Sequence, residues 1–159
     1  IHYVPDKDAV IRDIAKSLRS GGKFAFNTSF YEGGQHEDSK SFYRKWMFKA
    51  IRILRRQYGL SPSKSQKVAS RKQLTSGDYA NLMKRNGLKI VKCEVDTVQV
   101  PIEGWLDICT FSDFIEGTMP GVPLSKASDA LQQGVRQTYD ELGVSYVPRN
   151  WLDVVAIKA

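Results

Sequence analysis

At Gly21-Gly22 the hydrophobic period of this chain switches from helical to extended, and no other feature constrains its fold as much. Over Asp6 to Ser20, Val10, Ile11, Ile14, Ala15 and Leu18 recur at helical spacing, while Lys7, Asp8, Arg12, Asp13, Lys16 and Arg19 take the other side. Asp6 suits an N-cap, and Asp8 falls in the first turn, where the helix dipole favours an acid. The glycine pair ends the helix, because a left-handed residue there costs glycine little. Lys23 to Ser29, KFAFNTS, alternates its aromatics, is too short for a helix of its own and predicts a strand, which Glu32-Gly33-Gly34 breaks.

The rest of the chain repeats that alternation. Phe42, Trp46, Met47, Ala50, Ile51, Leu54 and Tyr58 predict an amphipathic helix over Ser41 to Tyr58, closed by Gly59. Leu60 to Ser70 is polar and reads as a flexible connection. Thr75 and Asp78 resemble a capping box at the head of a helix over Thr75 to Asn86, with Tyr79, Leu82 and Met83 on its buried face and Gly87 at its end. Leu88 to Val100 predicts a long strand with a phase change, read as a bulge, near Asp96-Thr97. Pro101 to Gly121 reads as one helix of mixed character, Leu124 to Leu142 as a helix beginning near Pro123 or Ser125, and Trp151 to Lys158 as a terminal strand. Helices alternating with strands predict an α/β layer with a mostly parallel sheet. Three strands are few for 159 residues, so part of a larger sheet is expected.

Composition narrows the function classes. The net charge is +7, yet eleven basic residues and no acid lie between Lys40 and Lys72, leaving 13 basic against 17 acidic elsewhere. The charge belongs to one segment, whose partner would be an anionic membrane surface, an acidic carrier or substrate, or nucleic acid; a solvated helix face is the plainer reading. No apolar run is long enough to cross a membrane. The first ten residues carry Asp6, Lys7 and Asp8 where a signal peptide needs an apolar stretch. Cys93 and Cys109 form no metal-ligand or CxxC spacing; reduced thiols in a cytoplasmic protein are expected, with no metal. No Ser-His-Asp, paired-carboxylate, HExxH or P-loop arrangement is present. The chain opens on Ile1 without a methionine, so a preceding segment is expected.

The order of these motifs is familiar. Ile1-His2-Tyr3-Val4-Pro5-Asp6, a helix, and then Leu18-Arg19-Ser20-Gly21-Gly22-Lys23-Phe24 resemble the second half of class I S-adenosylmethionine-dependent methyltransferases, with Ser20 where proline is common. Asn86-Gly87-Leu88-Lys89-Ile90 fits the entry to the sixth strand of that family, and Trp151–Lys158 its antiparallel seventh. The resemblance covers residues 1–30, 73–100 and 150–158. It implies a single domain over 1–159, a partial Rossmann-like methyltransferase sheet (the region of strands four to seven), and cap-like insertions at 40–72 and 101–149. It implies S-adenosylmethionine as cofactor and a small, apolar or aromatic substrate. The family's glycine-rich loop and ribose-binding acid are missing, and neither Gly21-Gly22 nor Gly33-Gly34 has the spacing to replace that loop. The chain alone is therefore expected to be inactive and not to bind the cofactor.

The candidate site lies at the carboxyl edge of the sheet. His2, where the fourth strand would end, is the candidate base or orienting group. Asn27 and Tyr31, at the end of the fifth strand beside Ser29 and Phe30, are candidate substrate contacts. Trp46 and Trp105 are candidate pocket walls, as are Tyr43, Phe111 and Phe114; for all of these aromatics core packing is the plainer reading. His2 and Asn27 are expected to open into one hollow roofed by the inserted helices. Two other readings compete: an assembly module, a homodimer or a pairing with a missing N-terminal half through the open sheet edge, and a basic nucleic-acid binder.

Overall fold

A computed structural model describes residues 1–63 and 73–159. Helix α1 runs Lys7–Ser17 and strand β1 Lys23–Thr28; a 3-10 turn at Glu37–Ser39 leads into α2, Lys40–Tyr58. Then come α3 Ser76–Arg85, β2 Leu88–Pro101, α4 Ile102–Ile108, α5 Ser112–Thr118, α6 Leu124–Leu142 and β3 Tyr146–Lys158. The chain read as one domain divides into two compact units. One holds residues 1–36, the described residues from 73 to 98, and 149–159; the other holds the described residues from 37 to 63 and residues 99–148.

The first unit is built as the sequence periods dictate. The Asp6 side chain accepts the Ala9 N–H at 2.9 Å and starts α1. Thr75 and Asp78 form a reciprocal capping box that starts α3. Both helices turn their apolar stripes to one sheet: Ile11 and Ala15 of α1 and Tyr79, Leu82 and Met83 of α3 are buried with Leu88, Leu152, Val154 and Ala156. Phe24 and Phe26 join them, while Ala25 and Asn27, alternating with them on β1, stay exposed. Arg85 and Asn86 both donate to Asp8 Oδ1, at 2.9 and 3.0 Å, tying α3 to α1.

The sheet order is β1-β3-β2. β3 pairs antiparallel with β1, from Lys23 opposite Ile157 to Thr28 opposite Leu152. The expectation of a mostly parallel sheet is thereby corrected. The first two strands, β1 and β2, are not neighbours, because the final strand enters between them and runs against β1.

The second unit is helical. α2 packs along α6, with α4 and α5 also against α6. Phe42, Trp46, Ala50 and Leu54 meet Ala127, Ala130, Leu131 and Val135 in a core that Trp105, Ile115 and Met119 complete. The Trp46 indole N–H donates to the Leu131 carbonyl at 2.9 Å, and the Tyr139 hydroxyl to the Val100 carbonyl at 2.9 Å. Cys109 is fully buried, and burial pushes its thiol up to about 12. Gly59 closes α2 in the left-handed conformation, at φ 64°.

Two element boundaries differ from the sequence reading. Residues 101–121 form two short helices, interrupted where Phe111 is extended. β3 starts at Tyr146, five residues before Trp151; Pro148 hides this extension, since proline weakens a strand signal yet is tolerated near a strand's start. Of the connection read over 60–70, residues 64–70 lie outside the described residues. Among the described residues no helix is long and apolar enough to cross a membrane.

Candidate functional site

Where β1 ends, period-two alternation carries Thr28 to the buried side, and it is only 2 % exposed. Its hydroxyl oxygen lies 3.0 Å from His2 Nδ1 and accepts the Phe30 N–H at 3.1 Å. The hydroxyl can donate to Nδ1 or accept a second hydrogen bond from it, according to the His2 tautomer. The His2 ring stacks on Phe30 with centroids 4.5 Å apart and planes 24° apart. Tyr3 leans on His2 at 4.2 Å.

The start of β3's share of the unit supplies the charge. The Arg149 guanidinium lies 4.9 Å from the Phe30 ring centroid and donates to the Ser29 carbonyl at 2.8 Å. Next to it, Asn150 donates its side-chain N–H to the Gly33 carbonyl and its backbone N–H to the Gly34 carbonyl, at 2.9 and 3.1 Å. The loop after β1 is thus stapled to β3 and holds an imidazole, two aromatic rings and a guanidinium together. Lys7 donates to the Val4 carbonyl at 3.0 Å, and burial holds its ammonium below the usual lysine range. Such a group of side chains presents an aromatic surface at the loop, while the His2 ring nitrogens turn inward, Nδ1 to Thr28 and Nε2 to a buried position.

The sequence-derived candidates divide between the two units. His2 occupies a turn, and no strand is assigned to residues 1–6. Asn27 stands opposite Asp153 and is exposed, on the face of β1 opposite Thr28. Tyr31 is 4 % exposed in the first unit's core. Trp46 and Trp105 come together in the helical unit, centroids 5.7 Å apart, beside Phe42 and Phe114. Both tryptophans are buried. Thr28 and Arg149 were not singled out from the sequence. Thr28 is legible as the last alternating position of KFAFNT, whereas nothing in the spacing ties Arg149 to residues more than a hundred positions earlier.

Among the described residues no three His, Cys, Asp or Glu side chains converge to hold a metal. A shallow apolar groove between α3 and the start of β2, lined by Ala80, Lys84, Leu88 and Ile90, includes none of the candidate residues.

No protein-family model matches the chain, and no curated protein matches it. Solved structures do. A provisionally named methyltransferase of Bacillus halodurans is 11 % identical over 99 % of this chain and 65 % of its own, with a TM-score of 0.47. Haemonchus contortus phosphoethanolamine N-methyltransferase 2, solved with phosphomonomethylethanolamine and S-adenosylhomocysteine, is 19 % identical over 99 % of this chain and 31 % of its own, with a TM-score of 0.42. The YcgJ protein of Bacillus subtilis is 12 % identical over 99 % and 59 %, with a TM-score of 0.39. The chain spans less than two thirds of each.

Proposed function

We propose that this chain is the C-terminal part of a class I S-adenosylmethionine-dependent methyltransferase acting on a small, apolar or aromatic molecule. The observation that carries the reading is the antiparallel pairing of the last strand, β3, with β1, the strand that follows the helix and the Gly21-Gly22 turn. That is the relation the resemblance implies for the seventh and fifth strands. The capped helix α3, leaving through Gly87 into β2, supports it in the place of the sixth strand's approach. The helical unit stands, in this proposal, for the variable cap insertions of small-molecule methyltransferases.

Among the described residues, the two glycine pairs do not fit the cofactor. The Gly21 N–H donates to the Lys158 carbonyl, the Gly22 N–H to Arg19 and the Gly34 N–H to Tyr31. These amides are spent within the chain and cannot cradle the cofactor's amino-acid end. What this chain contributes is positioning. Methyl transfer is a displacement at carbon and depends on alignment and exclusion of water. Phe30 and Tyr3 supply an aromatic surface, His2 is proposed to orient the substrate through its stacked ring, and Arg149 fixes the loop. Asn27 is proposed to contribute from the open face of β1, and Tyr31, Trp46 and Trp105 through the packing that shapes each unit.

Titration calorimetry with S-adenosylhomocysteine tests the reading. No heat is expected for residues 1–159 alone. Binding is expected once the chain is extended by its own preceding residues, if these encode a strand and a glycine-rich loop. An extended chain of that kind that fails to bind, or a preceding sequence without such a loop, overturns it.

A further inference from the structure

Among the described residues, β2 lies at the edge of the three-stranded sheet, on the far side of β3 from β1. It is fourteen residues long, and Val91 and Val95 on it are 53 % and 50 % exposed, with Cys93 between them exposed as well. A long edge strand with an apolar row is a template for another strand. Native edges are commonly guarded by charge, and β2 carries Lys92 and Glu94, whose side chains approach to 3.5 Å and so share one side of the strand. We propose that this edge pairs antiparallel with the same edge of a second copy of this chain, about a two-fold axis through Cys93. The proposal does not rest on the methyltransferase reading, since it uses the edge remote from β1.

The register follows from symmetry and charge. A two-fold axis normal to the sheet keeps each face on its own side, so only residues of equal parity can stand opposite one another. Centred on Cys93, Lys92 faces Glu94 of the second copy and Glu94 faces its Lys92. On the alternate positions, Val91 faces Val95 and Cys93 faces Cys93. Centring on Lys92 instead opposes two lysines, and centring on Glu94 opposes two glutamates; like charges directly opposite destabilise a pair. The guarding charges are therefore self-complementary in one register and repulsive in its neighbours. A ladder of roughly nine residues per copy is small against a standard interface, so the dimer is expected to be weak, with a Kd between about 1 µM and 1 mM.

The test is sedimentation velocity on residues 1–159 across that range, with thiol oxidation by copper-phenanthroline. A concentration-dependent dimer is expected, cross-linked through Cys93, because the other cysteine is buried. Cys93→Ser should abolish the cross-link and leave the dimer. Glu94→Lys, at a side chain 65 % exposed, should weaken association about tenfold with unchanged far-UV circular dichroism. A strict monomer throughout overturns the proposal. So does a dimer whose Cys93 does not cross-link, which would pair elsewhere, or one indifferent to Glu94→Lys.

Discussion

Gly134 sits in mid-helix in α6, where glycine costs about 1 kcal/mol relative to alanine. The structure supplies the reason it is there. A Cβ at this position would come within 3.1 Å of the Ala50 Cβ and backbone nitrogen and of Trp46 Cδ1. The residue thus sets how closely α6 approaches α2, and so whether the Trp46 indole can reach Leu131. Gly134→Val is expected to destabilise the protein by about 1–3 kcal/mol or more through overpacking, read as a lower urea midpoint with little change in slope. At the candidate site the informative residue is Thr28. Thr28→Val keeps its shape but removes the oxygen that serves both His2 and the Phe30 N–H. A loss of about 1–3 kcal/mol is expected, together with a changed His2 ring environment by NMR; an unmoved imidazole spectrum would separate His2 from Thr28.

Among the elements, α2 explains the charge anomaly in the sequence. Lys45 and Lys49 both pair with Glu141 of α6, and Lys40 pairs with Glu37, so part of the basic run is answered within the unit by acids distant or adjacent in sequence. Hydrogen bonds from Lys45 and then Lys49 hold the Glu141 carboxyl down at about 2. A carboxyl depressed in the folded state stabilises it above the ordinary carboxylate range, and that contribution is lost as pH falls toward 2. Glu141→Gln is therefore expected to flatten the fall in stability between about pH 4.5 and 2, with salt reducing the difference; equal slopes in both proteins would refute the coupling. In α3, Asp78→Ala should cost about 1 kcal/mol through loss of the reciprocal cap, measured by denaturation. The helices with one clean apolar stripe, α1, α2, α3 and α6, were legible in the sequence to within a few residues. Residues 102–118 were not, because apolar side chains surround those short helices and leave no periodic face to read.

At the scale of the molecule, two cores coexist in one chain whose segments interleave. Leu131 is fully buried in the helical core, and Leu131→Ala should remove about 2–5 kcal/mol. Amide exchange in α2 and α6 is expected to quicken while β1 and its pairing with β3 keep their protection; equal loss in both would make the two units one cooperative body. Local periods, the glycine pair and the capping residues determined by themselves where helices and strands form, because those preferences act over one to four residues. They also placed Tyr31 within a few residues of β1's end. Tertiary structure alone decided that the last strand enters between β1 and β2, that the segments around 40–63 and 101–148 share one core, and that Arg149 reaches the loop after β1. Contacts across such separations depend on which surfaces are left to bury once the local elements exist, and no spacing along the chain records that choice.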